Sequence, residues 1–370
     1  MKFLKKNKAN LAFGRERERE RERRNSGIDL AKGICILLMV VGHSGAPRLL
    51  NDAIYMFHMP CFFIISGWLF KEKYLDNIMS FIKRKVFTLW KPYVTWGLIF
   101  LCLTNAFIEL NILNPPYLSK NDYIHEGVNI LTMQRVSNLL GGFWFITSLF
   151  IASIVSTLWY KVIGNRLILI IAGIFLFLSV AFIFCHYSIS TTFRTYTILA
   201  VAYFMAGTLL SRIKIPKGRL KTLIIIAAML VLASGMLFIM SDERGWMTRK
   251  LIIPFFFSSV IISYAIIVVC TTSVPLNLFK WLETLGRRTF DILIFHFLAF
   301  KIVSLLKILY FDLPIDRLSD FPVIHDNNHI YWLIYATIGI CGSLLFADTI
   351  NALKSRSIYI FNKILNPIKK

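Results

Sequence analysis

Ten runs of about 17–25 mainly apolar residues recur along the chain, and each is long enough to cross the roughly 30 Å hydrocarbon core of a bilayer as a helix. Hydrophobic residues make up 56% of the 370 residues, more than a soluble domain of this size can bury in one core. The runs lack the strict alternation of barrel strands. We therefore predict an all-α polytopic membrane protein with about ten transmembrane helices, at 28–46, 53–70, 87–109, 142–164, 167–186, 195–211, 220–240, 250–271, 288–306 and 330–350.

The distribution of Lys and Arg predicts how these spans are oriented. If the N-terminus is cytoplasmic, the cytoplasmic segments hold 30 basic residues and the opposite loops hold 9, as the positive-inside rule requires. Both termini are therefore predicted to be cytoplasmic. The formal net charge of +22 is explained by a basic inner face against anionic lipid. We expect the lipid bilayer as a partner, and no nucleic acid.

Three segments follow from this topology: a basic low-complexity cytoplasmic tail (1–27), a ten-helix membrane domain (28–350) and a second basic cytoplasmic tail (351–370). The first tail contains RERERERERR at residues 15–24, which we interpret as solvated. No short apolar run with a small-residue cleavage site precedes the first span, so a cleavable signal peptide is not expected.

Metal binding is not predicted. The six cysteines lie in or at the edges of spans without a CxxC pair, so neither a disulfide framework nor a metal site is indicated. A long outer loop at 307–329 contains four aspartates and two histidines, but their spacing is irregular.

The first apolar run, IDLAKGICILLMVVGHSGAP, carries three titratable side chains: Asp29, Lys32 and His43. A charged group in hydrocarbon costs about 2.5–3.5 kcal/mol, so such residues indicate function. His43 lies about 22 Å from the cytoplasmic start of the run, and His58 lies about one turn below the outer surface on the second run. We predict that the two imidazoles lie at similar depth, where a neutral imidazole acts as a general base; the alternative is a structural hydrogen bond between helices.

The first two runs, IDLAKGICILLMVVGH and IYMFHMPCFFIISGWLF, resemble the opening of the membrane-bound acyltransferase-3 family, in particular its fucose 4-O-acetylase-like branch. GGFWFITSLF (141–150), AYFMAGTLL (202–210) and LGRRTFDILIFH (285–296) are similar to later segments in the family's order. The resemblance covers residues 25 to about 350. It implies a bacterial inner-membrane O-acyltransferase that transfers an acyl group, expected to be acetyl, from acetyl-CoA or another acyl-CoA to a sugar hydroxyl of a cell-surface or exported polysaccharide.

The resemblance also implies roles for residues. The family's basic residue and its histidine, with ten residues between them, fall on Lys32 and His43, so His43 is the expected catalytic base, with His58 and Asp29 as further catalytic candidates. The paired arginines that the family carries ahead of a Pro-Tyr are missing from KRKVFTLWKPY. The cations there, with Lys32, are candidates for binding the acyl-CoA phosphates, and the alternative is a purely topological signal. These cations are Lys83, Arg84 and Lys85.

Trp144, Ser44 and His58 are candidate donors to the oxyanion of the reaction. Asp291 and His296, in the ninth span, are second-rank candidates, and we expect Asp291 to pair with Lys32 or Arg288. The glycines of SGW and MAG are expected to serve close helix packing.

The rival class is a transporter or flippase for a glycan or a lipid-linked sugar, because polar groups at several depths also suit a transport path. The sequence contains no inverted repeat and no matching pair of Gly/Pro-broken spans. Transfer or hydrolysis of the acyl group of acetyl-CoA by the purified protein distinguishes the two classes.

Overall fold

The structure is a computed structural model that describes residues 26–114, 116–186, 192–214, 218–241, 252–272, 276–325 and 330–365. Within these ranges the chain forms α-helices, short 3-10 and π-helical segments and no strand, so the all-α prediction is confirmed. Residues 1–25, which make up most of the predicted N-terminal tail, lie outside the described ranges.

The α-helices of the described residues are α1 (Ser26–His43), α2 (Arg48–Tyr55), α3 (His58–Trp68), α4 (Ile78–Lys85), α5 (Lys91–Glu109), α6 (Lys120–Leu131), α7 (Trp144–Val162), α8 (Leu167–His186), α9 (Thr192–Leu210), α10 (Arg219–Ser241), α11 (Ile252–Thr272), α12 (Lys280–Arg287), α13 (Thr289–Phe311) and α14 (Tyr331–Leu365). A π-helical segment, Val86–Trp90, joins α4 to α5. A 3-10 segment, Asn138–Phe143, leads into α7.

Each predicted span overlaps an apolar helix, or in one case a pair of helices. Two further apolar stretches, Thr195–Leu210 and Leu220–Met236, are shorter than the rest. The helical stretches that by length and composition suffice to cross a membrane number eight in the described residues: Ser26–His43, Arg48–Trp68, Ile78–Glu109, Asn138–Val162, Leu167–His186, Ile252–Thr272, Thr289–Phe311 and Tyr331–Arg356. The chain is therefore a multi-pass membrane protein, while the count of ten spans and the cytoplasmic location of both termini stay predictions.

The chain divides into two compact units. The first unit contains Met1–Leu38, Asp52–Lys83 and Ser148–Arg287, and the second unit contains Met39–Asn51, Arg84–Thr147 and Arg288–Lys370. Each unit is thus assembled from separate stretches of sequence, and α1 begins in the first and ends in the second.

In the first unit, α3 and α9 pack with their main chains in direct contact. A Cβ atom on Gly67 would lie 1.9 Å from the carbonyl oxygen of Phe204, and one on Gly207 would lie 2.0 Å from that of Ile64. The Thr208 hydroxyl donates a hydrogen bond to the Gly67 carbonyl at 3.2 Å. The glycines of SGW and MAG therefore have the close-packing role predicted from the sequence.

In the second unit, α13 packs against α14 and the Asn138–Phe143 segment. The Ser304 and Tyr335 hydroxyls are hydrogen-bonded at 3.0 Å between α13 and α14. Most of α13 is buried, although it is one of the helices long and apolar enough to span a membrane. It is therefore a central helix of this unit, and its polar side chains face protein.

Candidate active site

The centre of the candidate site is a stacked pair of imidazoles in the second unit. The ring centroids of His43, at the end of α1, and His296, in α13, lie 5.6 Å apart with an interplanar angle of 28°. His43 is partly exposed and His296 is fully buried. The Phe297 ring lies 5.1 Å from the His43 ring and 4.0 Å from the His296 ring. The structure thus brings the first-choice histidine of the sequence together with one that the sequence ranked second.

The hydrogen bonds of His296 fix its tautomer. Its Nδ1 atom lies 3.0 Å from the carbonyl oxygen of Ile292 and 3.1 Å from that of Leu293. Because a carbonyl oxygen only accepts, Nδ1 carries the proton and Nε2 has the lone pair. Nε2 is buried and has no hydrogen-bond partner among the residues that the structure describes. A buried acceptor without a partner costs about 1–3 kcal/mol, so this nitrogen is suited to accept a hydrogen bond from a substrate hydroxyl.

Two glycines allow close main-chain contacts in the second unit, one beside His296 and one beside the loop between α13 and α14. A Cβ atom on Gly142, within the sequence GGFWF, would lie 2.6 Å from Cδ1 of Leu293 and 3.7 Å from Cε1 of His296. Gly45, two residues after His43, has a φ of 84°, a conformation that favours glycine. A Cβ atom there would lie 3.2 Å from Cγ2 of Val323. The end of α1 is therefore in contact with the loop between α13 and α14.

Two buried lysines of α13 bind the main chain of this loop, which we call the α13–α14 loop (residues 312–325). Lys301 donates to the carbonyl oxygens of Leu318 at 2.9 Å and Asp320 at 2.7 Å. Lys307 donates to the carbonyl oxygen of Ile324 at 3.0 Å. Both side chains are less than 5% exposed, and a buried ammonium group is stable only when it is hydrogen-bonded. Neither lysine was predicted to have a role, although a charged residue within an apolar run is a sequence signal of function.

His58 lies in the first unit, at the start of α3. It is buried, its Nδ1 atom lies 2.8 Å from the Ile54 carbonyl oxygen, and the Tyr55 ring contacts it edge-on at 5.1 Å. The same argument as for His296 places its proton on Nδ1. The predicted location of His58 at the depth of His43 stays a prediction.

The two other candidate oxyanion donors lie in different settings. Ser44 is buried, and its hydroxyl donates to the carbonyl oxygen of Val41 at 2.8 Å. The Ser44 hydroxyl must therefore break this hydrogen bond before it can donate to an oxyanion. Trp144 is partly exposed and begins α7, directly after the segment that contains Gly142.

Asp29 and Lys32 belong to an ionic network of the first unit. Lys32 Nζ lies 2.8 Å from Asp29 Oδ1, and Arg287 Nε lies 3.4 Å from Asp29 Oδ2. Arg287 also binds Glu283 within α12. Beneath the network, α1 and α12 touch through Gly33 and Gly286, where added Cβ atoms would lie within 2 Å of main-chain oxygens. The catalytic role of Asp29 and the donor-binding role of Lys32 stay predictions.

Asp291 takes part in a bridge between α13 and α14. Arg288 Nε lies 2.9 Å from Asp291 Oδ2, and the same guanidinium donates two hydrogen bonds to the Asp348 carboxylate, at 2.6 Å and 3.0 Å. The predicted pairing of Asp291 with Arg288 is confirmed. These contacts join α13 to α14.

The candidate phosphate-binding cations lie on the last turn of α4. Lys83 and Arg84 are exposed and Lys85 is partly buried. Successive residues of a helix point about 100° apart, so the three side chains do not form a single patch by helix geometry alone. The position of the missing second arginine falls in Val86–Trp90, and π-helical segments are frequent at functional sites. Donor binding by these cations stays a prediction.

The structure describes part of the acidic loop at 307–329. No group of three or more His, Cys, Asp or Glu side chains in the described ranges is arranged to hold a metal ion. Asp326 and His329, which belong to that loop, lie outside those ranges.

Together, these observations define a multi-pass helical membrane protein with two adjacent imidazoles, one partly exposed and the other with its tautomer fixed. A family model described as an acyltransferase domain matches residues 25–348. The chain therefore belongs to the acyltransferase-3 family, and the match supports membrane acyltransferase activity. No curated protein and no solved structure matches the chain significantly.

Proposed function

We propose that the protein is a membrane O-acyltransferase of the bacterial inner membrane, which transfers an acyl group, acetyl in the first instance, from acyl-CoA to a sugar hydroxyl of a cell-surface or exported polysaccharide. Within the acyltransferase-3 family, we propose that the protein belongs to the fucose 4-O-acetylase-like branch. The observation that carries this proposal is the stacked pair of His43 and His296 inside the family's domain.

The partly exposed His43 is the proposed general base. It takes the proton of the acceptor hydroxyl while that oxygen attacks the thioester carbonyl carbon. The new C–O bond forms, the C–S bond breaks, and the proton passes to the departing CoA thiolate. The imidazolium that forms transiently lies 5.1 Å from the Phe297 ring, within the range of a cation–π interaction. His296 Nε2 accepts a hydrogen bond that orients the hydroxyl.

The remaining candidates complete this proposal. Trp144 and Ser44 are the proposed donors to the oxyanion, and a donor aimed at the developing charge contributes about 3–4 kcal/mol. Lys32 and the cations of α4 are proposed to bind the phosphates of the donor. Asp29 and His58 stay proposed as further catalytic candidates.

The proposed topology has ten spans with both termini cytoplasmic, so that acyl-CoA arrives from the cytoplasm and the glycan from the opposite side. Reporters fused after residues 120 and 320 are then extracytoplasmic. A cytoplasmic signal at residue 120 contradicts this topology.

The test uses purified protein in proteoliposomes with radiolabelled acetyl-CoA and glycan acceptors. His43→Asn keeps a hydrogen-bonding group but cannot take up a proton near neutral pH. We expect it to lower turnover by a factor of about 10²–10⁴. His186→Asn is the matched control, because His186 is exposed at the end of α8, and it should retain wild-type turnover.

Two results contradict the proposal. Wild-type turnover in His43→Asn makes His43 structural and requires another base. Movement of glycan across the bilayer without consumption of acetyl-CoA favours the flippase class.

A further inference from the structure

A pocket of the second unit opens where the chain between α5 and α7 meets the α13–α14 loop. Its volume is about 400 Å³, within the range of about 300–1,000 Å³ that is typical of small-ligand sites. The lining includes polar side chains and one aromatic ring: Glu126, Arg135, Ser137, Asn138, Ser319 and Phe321.

The polar lining suits a neutral ligand with several hydroxyl groups. A carboxylate only accepts hydrogen bonds, a guanidinium only donates, and an amide does both, so Glu126, Arg135 and Asn138 together satisfy hydroxyls in either role. Arg135 Nη1 lies 3.9 Å from Glu126 Oε1, so their charges offset each other. This neutral pair disfavours a polyphosphate such as the CoA moiety and favours an uncharged sugar.

Ser137 adds an unsatisfied group to the pocket. Its hydroxyl oxygen is buried and has no hydrogen-bond partner in the part of the chain that the structure describes. A ligand hydroxyl that reaches this oxygen removes a desolvation cost of about 1–3 kcal/mol. The pocket therefore contains a group that a bound sugar would satisfy.

Phe321 connects the pocket to the imidazole pair. Its ring is 43% exposed, and its centroid lies 4.7 Å from that of Phe297, whose ring contacts both His43 and His296. One face of a sugar ring carries C–H bonds that pack on an aromatic ring, which is a large apolar surface. Through Phe297, the Phe321 side of the pocket thus lies next to the imidazole pair.

The wall formed by α6 is held in place before any ligand binds. Ser119 and Asp122 form a capping box at its start, with bonds of 2.8 Å and 3.3 Å, and the hydrogen bonds from Ser119 lower the pKa of Asp122. The cap therefore persists at neutral pH. At the other end, the Trp90 indole N–H donates to the Leu131 carbonyl oxygen at 3.1 Å.

We infer that this pocket is the acceptor subsite of the acyltransferase and binds a neutral sugar residue of the glycan. The inference rests on the proposed function and adds a location and a charge class for the acceptor. The two lysines of α13 take part indirectly, because they hold the loop that contributes Ser319 and Phe321.

The experiment measures acetyl transfer from radiolabelled acetyl-CoA to methyl glycosides of fucose, rhamnose, galactose and glucose. Glu126→Gln should raise the KM for the accepted glycoside about tenfold, since a hydrogen bond to a charged group is worth about 1.5 kcal/mol or more. Asn138→Ala should raise it about fivefold, since a hydrogen bond between neutral groups is worth about 1 kcal/mol. Their kcat should stay within about twofold of the wild type, and the KM for acetyl-CoA should not change. Asn121→Ala is the control, because Asn121 is exposed on the same helix and does not line the pocket.

The outcomes separate the two proposals. A wild-type protein that acetylates none of the glycosides contradicts the proposed function. An active wild type with unchanged glycoside KM in both variants overturns the acceptor subsite alone, as does a rise in the KM for acetyl-CoA. A second measurement is independent of turnover: at the same concentration, the accepted glycoside should raise the Tm of Glu126→Gln by less than that of the wild type and of Asn121→Ala.

Discussion

The two units of the protein bring their helices together in different ways. In the first unit, glycines allow main chain to touch main chain, with added Cβ atoms 1.7–2.0 Å from carbonyl oxygens at Gly33, Gly67, Gly207 and Gly286. In the second unit, added Cβ atoms at Gly142 and Gly339 would meet side-chain carbons at 2.6 Å and 2.4 Å. A carbonyl oxygen moves only with its helix, whereas a side chain can change rotamer. These helix pairs of the first unit are therefore fixed by main-chain contacts, whereas the contacts of Gly142 and Gly339, in the unit that carries the imidazole pair, are adjustable.

The largest effect is expected for Gly207→Ala. The new methyl group would lie 2.0 Å from the Ile64 carbonyl oxygen, so α3 and α9 must separate along their crossing. We expect a loss of more than about 3 kcal/mol of stability, at the upper end of the cost of overpacking, seen as a loss of monodisperse protein after detergent extraction. Gly235→Ala on α10 is the control, since nothing lies within 4 Å of its added Cβ atom. Equal stability of the two variants would refute the rigid main-chain contact.

Lys301→Met tests the polar contacts of the second unit. It leaves the carbonyl oxygens of Leu318 and Asp320 without their buried donor, which should cost about 2–3 kcal/mol and expose the α13–α14 loop to protease. Lys161→Met is the matched control, because exposed Lys161 also donates to a carbonyl oxygen, that of Leu75, at 3.1 Å. A comparable loss of stability in Lys161→Met would show that burial is not the cause.

Gly142→Ala tests a glycine contact with a side chain in the second unit. Its methyl group would meet Cδ1 of Leu293 at 2.6 Å, and that atom is the end of a flexible side chain. We expect a cost of about 1 kcal/mol and a fall in turnover of less than tenfold, measured by thermal unfolding and by acetyl transfer. A loss as large as that of Gly207→Ala would contradict the difference between the units.

The smallest effect is expected for Arg287→Gln at the network of Asp29 and Glu283. Arg287 is 62% exposed, and an exposed ion pair contributes about 0–1 kcal/mol that salt screens. Thermal unfolding at low and high salt should show a small difference that disappears at high salt. A large, salt-independent loss would mean that Arg287 has a structural role beyond its ion pairs.

The sequence was sufficient for features that depend on local composition. Apolar run length predicted the apolar helices, the cost of a charge in hydrocarbon singled out His43, and the glycines of SGW and MAG were predicted to serve close helix packing. The resemblance to the acyltransferase-3 family was confirmed by the family match. Each of these signals lies within one run of residues or one motif.

Features that depend on which helices meet were not available from the sequence. His296 was recognised as polar, but the contact of its ring with His43 depends on how α13 packs beside the end of α1. Lys301 and Lys307 bind main-chain carbonyls. Because every residue has a carbonyl group, the sequence does not indicate which carbonyls the two lysines bind. The pocket beside Phe321 likewise requires two distant loops to meet.

The use of carbonyl oxygens by Lys301 and Lys307 has a consequence for redesign of the protein. Their hydrogen bonds hold the α13–α14 loop by atoms that every amino acid possesses, so these attachments do not depend on which side chains the loop carries at Leu318, Asp320 and Ile324. In the proposed acceptor subsite, Phe321 is thus a position where a library of substitutions can change the preferred sugar while these attachments of the loop are kept. In this respect the loop resembles an antibody hypervariable loop, whose framework is fixed and whose recognition surface is exchangeable.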